Sequence, residues 1–231
     1  MTGKCSALAA VAVAATMMGM PGAAGAVTVT QQNTDNVFAD ASGANDWSQS
    51  GNVVYNAIDP ANDFSGNTAG GLFRLVADPG SGPTLTFEAF CFEFEQIFNN
   101  GVTYTETALT DPGLYERVDA LFSNAASSVT DALSAAAFQF ALWEITTDWD
   151  NTAGLDLDTG DFQLLSSADS DMKPLAADYV RNVADGTWVG NNGSYTLLTD
   201  PTAQDLIRFE SPAEVPLPAS GVLLLGGIAG L

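Results

Sequence analysis

The chain has 231 residues and carries 28 Asp and Glu against 6 Lys and Arg, a formal net charge of −22. That length fits one domain with a real core plus targeting segments, and the acidity excludes phosphate-backbone ligands and weighs against adsorption to anionic lipid. There is no histidine, which removes Ser-His-Asp and Cys-His nucleophile pairs and every imidazole metal ligand.

In chain order, residues 1–26 read as a secretory signal peptide. Lys4 supplies the positive start, residues 7–18 the short apolar region, and Ala24-Gly25-Ala26 the small-residue cleavage site. Cleavage there removes Cys5 and leaves Cys91 as the single cysteine of an exported chain, with no intramolecular disulfide available to it. Short β-prone pieces at 27–30 and 52–58 are set among Asn, Asp, Gly and Ser, which favour turns. A strand is expected over 70–77, then a turn over 78–83. The run 84–98 is the strongest strand signal, but its alternation changes phase: Leu85 and Phe87 share one parity, Phe90, Phe92 and Phe94 the other. A β-bulge near Ala89 would put all five on one face and turn Cys91 to the opposite one, with Glu93 and Glu95. Asn99-Asn100-Gly101 is expected to close a hairpin into a strand over 102–109.

Asp111-Pro112 opens a helix carrying Leu114, Val118, Leu121 and Phe122 at helical spacing. Ser127 or Ser128 is expected to cap a second helix, with Asp131 in its first turn, running to about Thr147. Within it, every residue from Ala135 to Trp143 is apolar except Gln139. A helix apolar all round belongs in a core, and a carboxamide carried there costs roughly 1–3 kcal/mol unless a partner satisfies it. A third helix is expected over 169–184, and strands over 162–165, 187–189, 194–198 and 205–209, with Asn191-Asn192-Gly193 as a hairpin turn. This order predicts a single α+β domain over 27–210, with mostly antiparallel strands and a central block of about three helices.

At the C-terminus, Val215, Pro216, Leu217, Pro218 and Ala219 form a rigid extended segment leading into an apolar tail. This stretch, 211–231, resembles the VPLPA form of the PEP-CTERM sorting signal. That resemblance implies an exported bacterial surface or matrix protein, processed by a membrane-embedded exosortase and transiently anchored by its C-terminus. The family pattern continues with a membrane span and a basic cluster. Here the run after Pro218 has 13 residues, short of the roughly 20 that span a bilayer, so the signal reads as truncated.

Phe90-Cys91-Phe92-Glu93, with Gln139-Phe140-Ala141-Leu142-Trp143, resembles the thioester domain of bacterial surface proteins. The resemblance implies a covalent bond between Cys91 and Gln139, used once to attach to an amine or hydroxyl on a target surface. It implies an adhesin-like crosslinker rather than an enzyme. The chemistry stands on its own terms, because a thiol fixed against a carboxamide gains a large effective molarity. Glu93 is a conceivable proton acceptor. The other reading of the same residues is packing alone, Cys91 as a small hydrophobe and Gln139 as a hydrogen-bonded core amide, in a structural or polysaccharide-associated matrix protein.

Asp148, Asp150, Asp156, Asp158 and Asp161 crowd one loop. They are either a solvated surface or weak Ca²⁺ candidates that lack the EF-hand spacing. No other cofactor is expected. Glu88, Glu93, Glu95 and Glu144 supply carboxylates for a third reading, a glycoside hydrolase.

Overall fold

The computed structural model of the chain describes residues 25–40, 42–152 and 154–210. The expected leader, apart from its last two residues, and the sorting motif Val215-Pro216-Leu217-Pro218-Ala219 lie outside the described residues.

The domain is α+β, as the sequence predicts. Nine strands are described: β1 (Ala26–Gln31), β2 (Ser48–Tyr55), β3 (Phe64–Gly71), β4 (Phe73–Asp78), β5 (Leu85–Cys91), β6 (Val102–Ala108), β7 (Phe162–Ser167), β8 (Ser194–Asp200) and β9 (Ala203–Glu210). Three helices accompany them: α1 (Pro112–Ala125), α2 (Ala132–Asp148) and α3 (Met172–Ala184). Six strands close an antiparallel barrel in the order β1-β4-β5-β9-β8-β6, and a separate sheet runs β3-β2-β7. Period-two burial marks two of the barrel strands: Val27 and Val29 in β1, and Phe73, Leu75 and Ala77 in β4, are buried while the residues between them are less so.

Helix α2 is the centre of the molecule. It buries every residue from Ser134 to Ile145 and packs on α1, α3 and the β3-β2-β7 sheet. Glycines let the sheet come that close. A Cβ at Gly51 would stand 2.8 Å, and one at Gly70 2.9 Å, from the Phe140 ring, so only a bare backbone fits beneath it.

Several local expectations change. The single strand expected over 70–77 is two, because the chain leaves the small sheet at Gly71 and enters the barrel at Phe73. The strand expected over 84–98 ends at Cys91. No bulge interrupts β5, whose ladder with β4 runs unshifted from Phe73↔Ala89 to Ala77↔Leu85. The phase change has another cause: at Phe90 the strand trades β4 for β9, pairing Phe90↔Ile207 and Cys91↔Leu206, and Ala89, Phe90 and Cys91 are all buried. The hairpin expected at 99–101 does not form either. Strands β5 and β6 sit opposite one another in the barrel ring, so residues 92–101 cross from one side to the other.

Two later expectations also shift. Asp131, not Ser127 or Ser128, caps α2, in a reciprocal capping box with Ser134. Residues 187–193 form neither strand nor hairpin, because their backbone is drawn to side chains of α1.

Candidate functional site

The crossing segment after Cys91 lies against α2, and the match between them is geometric. Gln139 and Trp143 are four residues apart, about 6 Å along a helix. Cys91 and Glu93 are two apart in extended chain, about 6.6 Å. The two spacings coincide, and the contacts follow. Gln139 Nε2 donates to the Cys91 carbonyl at 2.9 Å, and the Cys91 N–H donates to Gln139 Oε1 at 2.8 Å. One step on, Trp143 Nε1 donates to the Glu93 carbonyl at 2.9 Å.

Gln139 is therefore fully buried yet satisfied at both ends. A carboxamide that bridges the N–H and C=O of one residue lies alongside that residue's Cα, two bonds from its sulfur. The same helix also covers the phenylalanines: Phe138 stacks on Phe90 at 4.4 Å, and Trp143 meets Phe94 edge-on at 5.0 Å. Helix α2 thus meets Cys91 and the phenylalanines together, because β5 ends at Cys91 and residues 92–94 leave the strand's alternation.

A cleft of about 700 Å³ opens onto this point, lined among others by Cys91, Phe94, Glu95, Trp143 and Gln204. Cys91 itself is 3% exposed. Burial pushes its thiol well above the usual range, and the charge of Glu93 adds to this. Glu93 is half-buried; its carboxylate is raised by burial to about 7, against the pull of the Asp205 N–H on Oε1. Gln204, which carries no motif in the sequence, donates from Nε2 to the Glu93 carbonyl at 3.0 Å. Glu95 accepts from the Tyr55 hydroxyl at 2.7 Å.

The remaining candidates separate. Glu88 is paired with Arg74 at 3.1 Å. Glu144 is fully buried, taking the Asp156 N–H on Oε1 at 2.7 Å, and burial lifts it to about 9. Of the loop aspartates, Asp148 is buried and holds the loop closed, accepting from the backbone of Asp161 and Phe162. Asp156 accepts from the Asp158 N–H, and Asp158 pairs with Lys173 at 2.5 Å. Asp150 and Asp161 are exposed. Among the described residues no group of three or more acidic or cysteine side chains converges as a metal site would.

A polar centre that sequence reasoning missed is Asp119 on α1. It is buried and accepts from the Tyr195 hydroxyl at 2.6 Å, the N–H groups of Asn192 and Gly193, and Ser123 Oγ. Burial alone would raise its carboxyl, but these donors together hold it below the usual range. A Cβ at Gly190 would stand 2.1 Å from Asp119 Oδ2. The available signal was a charged residue between Val118 and Leu121 on the apolar face of α1. In comparisons with known proteins, no family model matches the chain, and no curated protein or solved structure matches it either.

Proposed function

We propose that the chain is an exported surface or matrix protein whose Cys91 and Gln139 form an internal thioester for one-shot covalent attachment. The observation that carries this reading is the pair of hydrogen bonds between the Gln139 carboxamide and the backbone of Cys91, at the end of an open cleft. Its chemistry runs as follows. The sulfur attacks the carboxamide carbon, the S–C bond forms, and the C–N bond breaks to release ammonia, which carries off the thiol proton. The Cys91 N–H already sits on Oε1, where negative charge develops during the attack, and stabilises it there. Glu93, whose half-buried carboxyl is raised to about 7, is the group assigned to take up the thiol proton. An amine or hydroxyl entering the cleft then opens the acyl–sulfur bond and keeps the acyl group. Outside the described residues, the VPLPA-type segment supports export and processing by an exosortase.

Intact mass of the mature protein tests the bond. It should fall short of the sequence mass by one ammonia, Cys91→Ala should restore the full value, and methylamine should add to the wild type alone. A full-length mass with a thiol that alkylates once the chain is unfolded would end the proposal. One observation favours a second reading, packing alone: the carboxamide is satisfied without any covalent bond. In that case the protein is a non-covalent matrix component, and the same mass measurement decides between the two.

A further inference from the structure

Away from the Cys91 cleft, a second groove of about 490 Å³ lies between α1 and the loop 186–193, lined among others by Glu116, Arg117, Trp149, Trp188 and Asn192. Its walls are fixed. Trp149 follows the end of α2 and lies across the start of α1, where a Cβ at Gly113 would stand 2.7 Å from its ring. Trp188 packs on Tyr179 with ring centroids 5.6 Å apart. The loop between them is tied to α1 by Asn124, which donates to the Val189 carbonyl, by Ser123, which accepts from the Asn191 N–H, and by Asp119. A groove held this firmly is pre-organised for a ligand.

Asp119 and Tyr115 at the groove are committed to the loop, but other polar groups facing it are not. Four of the five cations among the described residues are paired: Arg74 with Glu88, Lys173 with Asp158, Arg181 with Asp178 and Arg208 with Glu106. Arg117 has no ion pair or hydrogen bond among the described residues, although the chain carries 28 acidic side chains. The indole N–H groups of Trp149 and Trp188 also have no acceptor there. Glu116 adds an exposed acceptor on the rim, and the Asn192 side chain adds both donor and acceptor.

Two indole surfaces, a free guanidinium, a free carboxylate and a carboxamide match a ring with apolar C–H faces and hydroxyls that both donate and accept. Charge selects among such rings. Glu116 and Asp119 outweigh Arg117 at the groove, and the chain as a whole stands at −22, so a uronate or sulfated sugar is repelled. We infer that this groove binds a neutral saccharide chain, with its pyranose rings against Trp149 and Trp188 and its hydroxyls on Arg117 and Glu116. The site is independent of the thioester, and it gives the protein a non-covalent hold on an uncharged glycan.

Calorimetry and tryptophan fluorescence on the mature chain test it, with neutral hexasaccharides of glucose, mannose, galactose and xylose and with a hexauronate as the charged counterpart. At least one neutral hexasaccharide should bind and perturb tryptophan emission. Trp188→Ala and Arg117→Gln should each weaken it by about tenfold or more, and Trp188→Phe, which keeps a ring but loses the N–H, by less. Cys91→Ala should leave binding unchanged, which separates this site from the fate of the thioester. Three results would each overturn the inference: no neutral hexasaccharide binds, the hexauronate binds more tightly, or all three groove variants, folded as judged by near-UV circular dichroism, bind like wild type.

Discussion

At the scale of single residues, Gln139 is decided by its two partners. Gln139→Leu keeps the volume but leaves the buried Cys91 N–H and carbonyl without the partner they have now. It should cost about 1–3 kcal/mol for each group left unpaired, read as a lower urea midpoint at unchanged m-value. Glu93 makes a kinetic prediction. Its carboxyl titrates at about 7, so ammonia release from freshly refolded protein should speed up as pH rises through 7. Glu93→Gln should slow that release and flatten the profile, and a profile unchanged by the substitution would remove Glu93 from the chemistry.

Glu144 and Asp119 set opposite limbs of the stability curve. Burial raises Glu144 from 4.5 to about 9, so the folded state holds its proton more tightly than the unfolded chain does. Its contribution is full below about pH 4.5 and is lost as pH rises toward about 9. Asp119 is shifted downward; its contribution is present above the unfolded value and lost as pH falls through the folded one. The melting temperature should therefore peak near pH 4–5 rather than at neutrality. Glu144→Gln should match wild type near pH 4 and exceed it on the alkaline limb by an amount on the order of a few kcal/mol, as thermal scans across pH would register.

At the scale of elements, α2 shows why an all-round apolar helix can be a hub. Its faces are divided among α1, α3, the small sheet and the end of β5, so no face is left for water. The closeness of the small sheet rests on Gly51, where a Cβ would meet Leu164 at 2.7 Å as well as Phe140. Gly51→Ala should therefore destabilise by about 1–3 kcal/mol through overpacking, with near-UV circular dichroism reporting the disturbed aromatic cluster. A substitution silent in both measurements would show that α2 can retreat from the sheet.

At the scale of the whole molecule, the barrel decides what neighbouring sequence cannot. The turn-forming triplet Asn99-Asn100-Gly101 sits between two strands that the ring order places on opposite sides. Local chemistry favours a hairpin there; closure of the barrel overrides it. That crossing carries Glu93, Phe94 and Glu95 past α2 and shapes the cleft. Tertiary pairing likewise leaves residues 187–193 without strand structure, because Asp119 and Ser123 take their N–H groups, and so forms the wall of the second groove.

The sequence by itself determined the three helices and the α+β class, which rest on local periodicity, and its resemblance to thioester domains singled out Cys91 and Gln139, which the fold joins through backbone hydrogen bonds. The tertiary structure alone decided the closed barrel, the end of β5 at Cys91, the burial of Glu144 and the groove around Arg117. Each of these depends on contacts between residues far apart in the chain, such as Asp119 with Tyr195 and Glu93 with Gln204, and no local pattern of side chains encodes them.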